Sequence, residues 1–477
     1  MASGCTSSGL ELLVRLDRDS TESLTCQIQS ELRTAIQTGR LAAGERVPST
    51  RQLARDLGVS RGLVVDCYGQ LRAEGYLEGT PGSATRVARC TSATSYPTRR
   101  APNPEVPALD VDFAPRVPDL NSFPMRDWQR SMNEAWRSAT TASFNYGDPR
   151  GQPELRRTLA SYLGRVRAII ADSDLIVVCA GFTQGLNLVF AALHASGHDS
   201  VAVEDPGDRD NDTIARRNGL TSVAVPVDEH GIDVAALACT TTRAVVLTPA
   251  HQSPTGVILS PDRRRAVIDW ARTINGVIIE DDYDAELRYD RRPVGSLQGV
   301  APDRVISVGT VSKSLAPTLR LGWIVSPPGL IEALSTTKEF ADRGSPGLDQ
   351  LTLSHLIETG RFDRHLRRKR DVYSKRRAAL VAALNTHAPR LGVSGLAAGL
   401  HLVAHLPDET DETHVIEQAR TRGVGLVGMN HYRTPGTIGP PRLVLGYGNI
   451  TPNAIAFGID KISNLIDRAP SDNVILS

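Results

Sequence analysis

Past residue 110 the chain alternates short unbroken apolar runs with amphipathic helices. This alternation constrains the fold more than any other feature. The runs are LIVV (175–178), VAV (201–203), AVVL (244–247), VII (277–279), VISV (305–308) and WIV (323–325). A run with no polar residue at alternate positions is buried on both faces, as in a mostly parallel sheet covered by helices on each side. HLVAHL (401–406), GVGLVGM (423–429) and RLVLGY (442–447) predict a smaller α+β subdomain near the C-terminus. The fold class expected here is α/β, with a large sheet domain and a small C-terminal subdomain.

Residues 90–109, CTSATSYPTRRAPNPEVPAL, carry four prolines and no apolar period, the composition of a linker. They separate an N-terminal domain (1–89, core 22–88) from a large domain (110–470). Six cysteines form no C-x-x-C pair, so neither a disulfide framework nor a structural zinc is expected. No run of about 18 apolar residues occurs, and the N-terminus has no basic stretch leading into an apolar core. A cytoplasmic protein with no membrane contact and no metal is expected. Net charge is +1, so any nucleic-acid contact must come from a local patch.

In the N-terminal domain Leu24, Ile28, Leu32 and Ile36 recur every fourth residue and mark one helix face that stops at Gly39. Ser49 precedes a second helix ending at Gly58, and Ser60 caps a third that turns Val64, Cys67, Tyr68 and Leu71 inward. Two short helices joined by a glycine-containing turn make a helix-turn-helix, and GYLEGTPGSATRVA reads as a β-hairpin wing. Arg61 opens the third helix, where side chains reach base edges, and Arg51 opens the second near a phosphate. An ordinary three-helix domain with solvated arginines fits the same pattern.

Only five of the 54 basic residues are lysines: Lys313, Lys338, Lys369, Lys375 and Lys461. Chemistry that needs an amine therefore has five candidates. Lys313 lies in GTVSKSLAPTLRLGW directly after an apolar strand, where open α/β sheets bind ligands. Thr310, Ser312 and Arg320 share that loop and suit a phosphate. A desolvated lysine there suits a Schiff base. Lys369 and Lys375 sit in RHLRRKRDVYSKRR, read as a solvated basic face. In VIIEDDYDAE, Asp281 ends a buried strand and Tyr283 follows. Together they suit a pyridinium nitrogen and a phenolate, although a carboxylate after a strand serves a metal equally well. LIVVCAGFTQGLNLVFAAL reads as strand, turn and helix, with the amides of Gly181–Thr183 open to a phosphate.

GRLAAGERVPSTRQLARDLGVSRGLVVDCYGQLRAEGYLEG resembles the winged helix-turn-helix of GntR-family regulators, over residues 22–88. NYGDPRGQPELRRTLASYL, EDPG, TPAHQSPTGVILSPDRR, IIEDDYDAELRYD and VSKSLAPTLRLGW resemble fold-type I aminotransferases. In this order, and behind a GntR domain, they resemble MocR/GabR-type transcription regulators over 22–465. The resemblance implies that Arg51, Arg61 and the Pro81–Gly82 wing meet operator DNA. It implies pyridoxal 5'-phosphate joined to Lys313, with Asp281 on the pyridine nitrogen and Tyr283 on the ring oxygen. Phe182, Thr183, Thr310 and Arg320 would bind the phosphate, and Tyr146 would reach the phosphate of a neighbouring subunit. Arg442 would take an effector carboxylate. A head-to-tail homodimer sensing an amino compound or pyridoxal phosphate itself follows from the same resemblance. Four positions depart from the family pattern. Leu63 replaces a Thr beside the phosphate backbone, and the wing reads SATRV. Asp208 stands where an aromatic usually stacks on the ring, and Ser253 where aminotransferases have Asn. The last two suit a sensor better than a working aminotransferase with an attached DNA-binding domain, which is the rival reading.

Overall fold

The computed structural model describes residues 14–79, 84–89, 108–115, 117–289 and 294–467. They form two compact units, one on each side of segment 90–107. Most of the expected linker and the wing turn with Gly82 lie outside the described residues.

In the first unit, three helices begin at serine caps: α1 (Leu24–Gln37), α2 (Thr50–Asp56) and α3 (Arg61–Ala73). The hydroxyls of Ser23, Ser49 and Ser60 accept from the backbone N–H groups of Cys26, Gln52 and Leu63 at 3.2–3.3 Å. Each satisfies a donor that the helix start leaves open. Gly39 and Gly58 adopt φ of +77° and +62° after α1 and α2, a conformation that costs glycine no side-chain clash. Ile28, Leu32, Leu53, Val64, Cys67, Tyr68 and Leu71 form one core. Leu24, expected on the same face, is only half-buried. Two short strands, β1 (Leu77–Glu78) and β2 (Arg86–Val87), pair antiparallel as the base of the wing.

The second unit is built on an eight-stranded sheet: β3 (Ile176–Cys179), β4 (Ser200–Asp205), β5 (Thr221–Asp228), β6 (Gly231–Ile232), β7 (Ala244–Leu247), β8 (Val277–Asp282), β9 (Val305–Thr310) and β10 (Gly322–Val325). Its order is β3-β10-β9-β8-β7-β4-β5-β6. The pairs β5–β4, β4–β7, β7–β8 and β8–β9 are parallel. β10 runs antiparallel to both neighbours. The physical reason is loop length: residues 311–321 are too few for the crossover helix that a parallel return requires. Sequence runs marked six of these strands. β5 escaped because it lies near the sheet edge, where only one of its eight residues is fully buried and the apolar run is broken. A four-stranded sheet, β11 (Gly392–Ser394), β12 (His401–His405), β13 (Val427–Gly428) and β14 (Arg442–Gly446), in the order β11-β12-β14-β13, forms the small subdomain. Among the described residues no helix is long and apolar enough to cross a membrane.

The helix Arg361–His387 corrects one expectation. Lys375 is exposed, but Lys369 is 1% exposed and belongs to no solvated face. Its Nζ donates to the carbonyl of Asp119 at 3.1 Å, and Arg376 pairs with the Asp119 carboxylate at 3.1 Å. Tyr373, fully buried on the same face, donates no apolar surface to water and its hydroxyl accepts from the Asp119 N–H at 3.0 Å. The basic run thus hides a polar anchor for the segment around Asp119. Burial pushes the Lys369 amine down from 10.5 to about 8. The unfolded chain keeps that proton up to its ordinary value, whereas the fold releases it earlier. Stability contributed by this site therefore rises as pH climbs from about 8 to 10.5. At 1.36 kcal/mol per pKa unit the gain is about 3 kcal/mol. Urea midpoints across this window should show that rise in the wild type and not in Lys369→Met; parallel curves would refute it.

Candidate functional site

Parallel strands bring their carboxyl ends to one edge of a sheet, and the loops leaving β4, β7, β8 and β9 meet there. They enclose a cavity of about 310 Å³. Lys313, Asp281, Tyr283, Phe182, Thr183, Thr310 and Arg320 all line it. Seven residues read from three separated stretches of sequence thus share one space. Asp208 and Ser253, the two departures, also line it.

Strand alternation explains why Asp281 faces the cavity. β8 ends Glu280-Asp281-Asp282, and successive side chains point to opposite faces. Glu280 accepts from the Ser296 hydroxyl and the Leu297 N–H, and Asp282 pairs with Arg167 at 2.7 Å. Asp281 points the other way. Its Oδ1 is buried and has no hydrogen-bond partner among the described residues. Burial, then Asp208, Asp282 and Asp284, push its carboxyl well up, partly opposed by Lys313. Such a group gains most from a cation or N–H donor placed within the cavity.

The end of the cavity around Gly181 and Arg320 is built by close backbone approach. The helix Phe182–Ala195 starts at Gly181, φ +83°, with no side-chain cap, so its first N–H groups stay open. Arg320 sits in a left-handed turn, φ +50°, and its guanidinium reaches the carbonyl of Ala180. A Cβ on Gly181 would lie 3.2 Å from that guanidinium. A Cβ on Gly322 would lie 2.8 Å from Gly181 Cα and from the Gly309 carbonyl. Thr310 Oγ1 is 2.9 Å from Ser312 Oγ and accepts from the Ser312 N–H at 3.1 Å, folding the loop that carries Lys313. The donor set fits pyridoxal phosphate. The buried Asp281 carboxyl, with one oxygen unpartnered among the described residues, would suit the pyridine nitrogen, a lysine the aldehyde, and a helix N-terminus with Arg320 and hydroxyls the phosphate.

Two residues named from the sequence do not line this cavity. Tyr146 is 81% exposed and lies in a separate pocket with Gly147, Pro149, Glu339 and Arg343. Arg442 opens β14, where its backbone N–H donates to Glu412 at 3.1 Å and its charge acts on His405 and Arg433. Val444, two residues on and on the same strand face, takes the wall position instead. Gly82 lies outside the described residues. Conversely, Glu204, Thr248, His401 and Tyr432 line the cavity and carried no sequence signal of their own. EDPG was visible as a motif, but the inward turn of Glu204, whose carboxylate accepts from the Thr248 hydroxyl at 2.6 Å, was not.

In the first unit Arg61 is the first residue of α3 and Arg51 the second of α2, and both are exposed. Neither holds an ion pair or hydrogen bond among the described residues. Arg86 on β2 donates to the Gly44 carbonyl at 2.9 Å, which ties the wing strand to the loop before α2.

Gly322→Ala should force the two backbones of the phosphate cradle apart. The expected cost is about 1–3 kcal/mol, the usual range for overpacking. Thermal unfolding of the variant measures it, and an unchanged transition would show that the cradle yields freely.

Comparison with known proteins agrees with this geometry. Residues 115–453 match the family Aminotransferase class I and II, and residues 24–87 match Bacterial regulatory proteins, gntR family. The chain is 31% identical to a probable rhizopine catabolism regulatory protein MocR of Rhizobium meliloti, over 94% of each chain. It is 30% identical to an HTH-type pyridoxine biosynthesis transcriptional regulator PdxR of Corynebacterium glutamicum, over 96% of this chain and 99% of that protein. Among solved structures, a kynurenine aminotransferase of Pyrococcus horikoshii superposes with a TM-score of 0.68 at 25% identity, covering 75% of this chain and 90% of that one. The chain therefore belongs to the MocR family of HTH-type transcriptional regulators, in which a GntR helix-turn-helix precedes an aminotransferase class I and II domain.

Proposed function

We propose that this DNA-binding regulator carries pyridoxal phosphate on Lys313 and changes its grip on operator DNA when an amino compound, or the cofactor itself, occupies the cavity. The observation that carries the reading is the buried Asp281 oxygen with no partner, on the wall of the same cavity as Lys313. Pyridoxal phosphate supplies an aldehyde that bonds amines reversibly and a ring that withdraws electrons. The chain's own residues do the rest. Arg320, Thr183, Thr310 and the open N–H groups after Gly181 bind the phosphate, with Phe182 beside it. Asp281 holds a proton at the pyridine nitrogen, and Tyr283 donates to the ring oxygen. Lys313 yields its place to an incoming amine. Free energy for switching comes from the difference in effector affinity between two states of the protein.

Tyr146 is assigned to the phosphate of a neighbouring copy in a head-to-tail homodimer; its exposure outside the cavity supports that role. An effector carboxylate at Arg442 has weaker support, because Val444 holds the wall. If Arg442 does bind it, Arg442→Lys loses the bidentate fork and shifts the spectral midpoint for amino acids about tenfold or more. Equal midpoints would remove Arg442 from the site.

Lys313→Ala should lose the visible band that borohydride fixes, while gel shifts with operator DNA stay specific. A band that survives moves the attachment to another lysine. Arg61→Ala should show the reverse pattern: an unchanged band and operator affinity weaker by about 1–3 kcal/mol at matched salt. Intact binding by that variant would refute the placement of α3 in the groove. Amino-group transfer to a panel of keto acids separates this regulator from a working aminotransferase, and negligible transfer is expected.

A further inference from the structure

Behind Tyr283 lies a buried cluster that the cofactor reading does not use. His251 follows β7 and Asp284 follows β8, so two neighbouring parallel strands deliver them side by side. His251 Nδ1 is 2.8 Å from Asp284 Oδ2, with the two side chains 1% and 2% exposed. The Tyr283 hydroxyl is 3.1 Å from the same Nδ1 and 3.2 Å from the His251 carbonyl. Gly399, φ +67°, closes over the pair. A Cβ there would sit 2.4 Å from Asp284 Oδ2 and 2.5 Å from His251 Cε1.

Hydrogen-bond accounting settles the ring. His251 Nε2 is buried and has no partner among the described residues. With the hydrogen on Nδ1, donated to the Asp284 carboxylate, Nε2 is an idle acceptor. The other tautomer would bury an N–H with no acceptor and set a lone pair against a carboxylate, which costs more. His401 stands 5.1 Å away, ring to ring, and bonds the Pro254 carbonyl at 3.0 Å through Nε2. Burial pushes it down to about 4, so it adds no charge at neutral pH.

Resting on the reading that pyridoxal phosphate binds here, we propose that Asp284 and His251 are positioning residues. They fix the Tyr283 phenol at the cavity wall, its O–H donating to the His251 carbonyl, and, through the Asp284 charge, tune the proton held between Lys313 and the cofactor. The charges that bear on Tyr283 are Asp284, Asp281 and, across the cavity, Tyr432. Burial and these neighbours hold the phenol protonated, as a donor. Asp284 and Lys313 both act on His401, so the two are within electrostatic reach of one region. A buried negative charge favours a cation nearby.

The test is a spectral pH titration of the full-length protein with bound pyridoxal phosphate. Asp284→Asn should lower the pH midpoint of the visible band. His251→Leu, which leaves the buried carboxylate without its donor and so favours its protonation, should lower it too. A wild-type midpoint in Asp284→Asn, or a raised one in His251→Leu, would overturn the proposal. Selective ¹⁵N-histidine NMR on the cofactor-free chain decides the same point without the band. His251 should show hydrogen on Nδ1, and an Nε2–H signal would refute the pair. A wild type that takes up no cofactor while showing the Nδ1–H signal would count against the cofactor reading and not against the pair.

Discussion

Three consecutive acidic residues at the end of β8 set the electrostatics of the large unit. Strand alternation sends Glu280 and Asp282 to one face, where hydroxyl, amide and guanidinium partners satisfy them. It sends Asp281 alone to the other face, into a cavity where one oxygen has no partner. Burying an unpaired carboxylate is costly, and a fold retains one only where something compensates. The rest of the site is arranged around that need: a lysine on the adjacent strand's loop, hydroxyls beside it, and an anion cradle at the far end.

The cradle depends on a second constraint, the shortness of the connection between β9 and β10. Eleven residues cannot cross over the sheet, so β10 turns back antiparallel and the loop folds over the strand ends. Arg320 is held in a left-handed turn next to Gly181 as a result. Loop length, a purely local property, thereby places the Arg320 guanidinium at the cavity.

Much of this was legible beforehand. Apolar runs marked six of the eight sheet strands, serine caps and glycine stops marked the three N-terminal helices, and only one of five lysines followed a strand. Strand β5, next to the sheet edge, was not legible, because partial exposure breaks the apolar pattern that signals a buried strand. Lys369 was misread because helical charge density suggests solvent, whereas one face of that helix carries Tyr373 and Arg376 inward around Asp119.

Sequence alone determined the two-domain architecture and the α/β class and singled out Lys313 as the candidate amine, since each follows from periodicity, composition or a motif within about fifteen residues. Tertiary structure decided that Val444 and not Arg442 lines the cavity, that Glu204 and Tyr432 join its wall, and that His251 meets Asp284. Those contacts join loops from strands far apart in the chain. Periodicity tells which face a residue occupies; strand order and register decide what stands opposite, and neither is written locally.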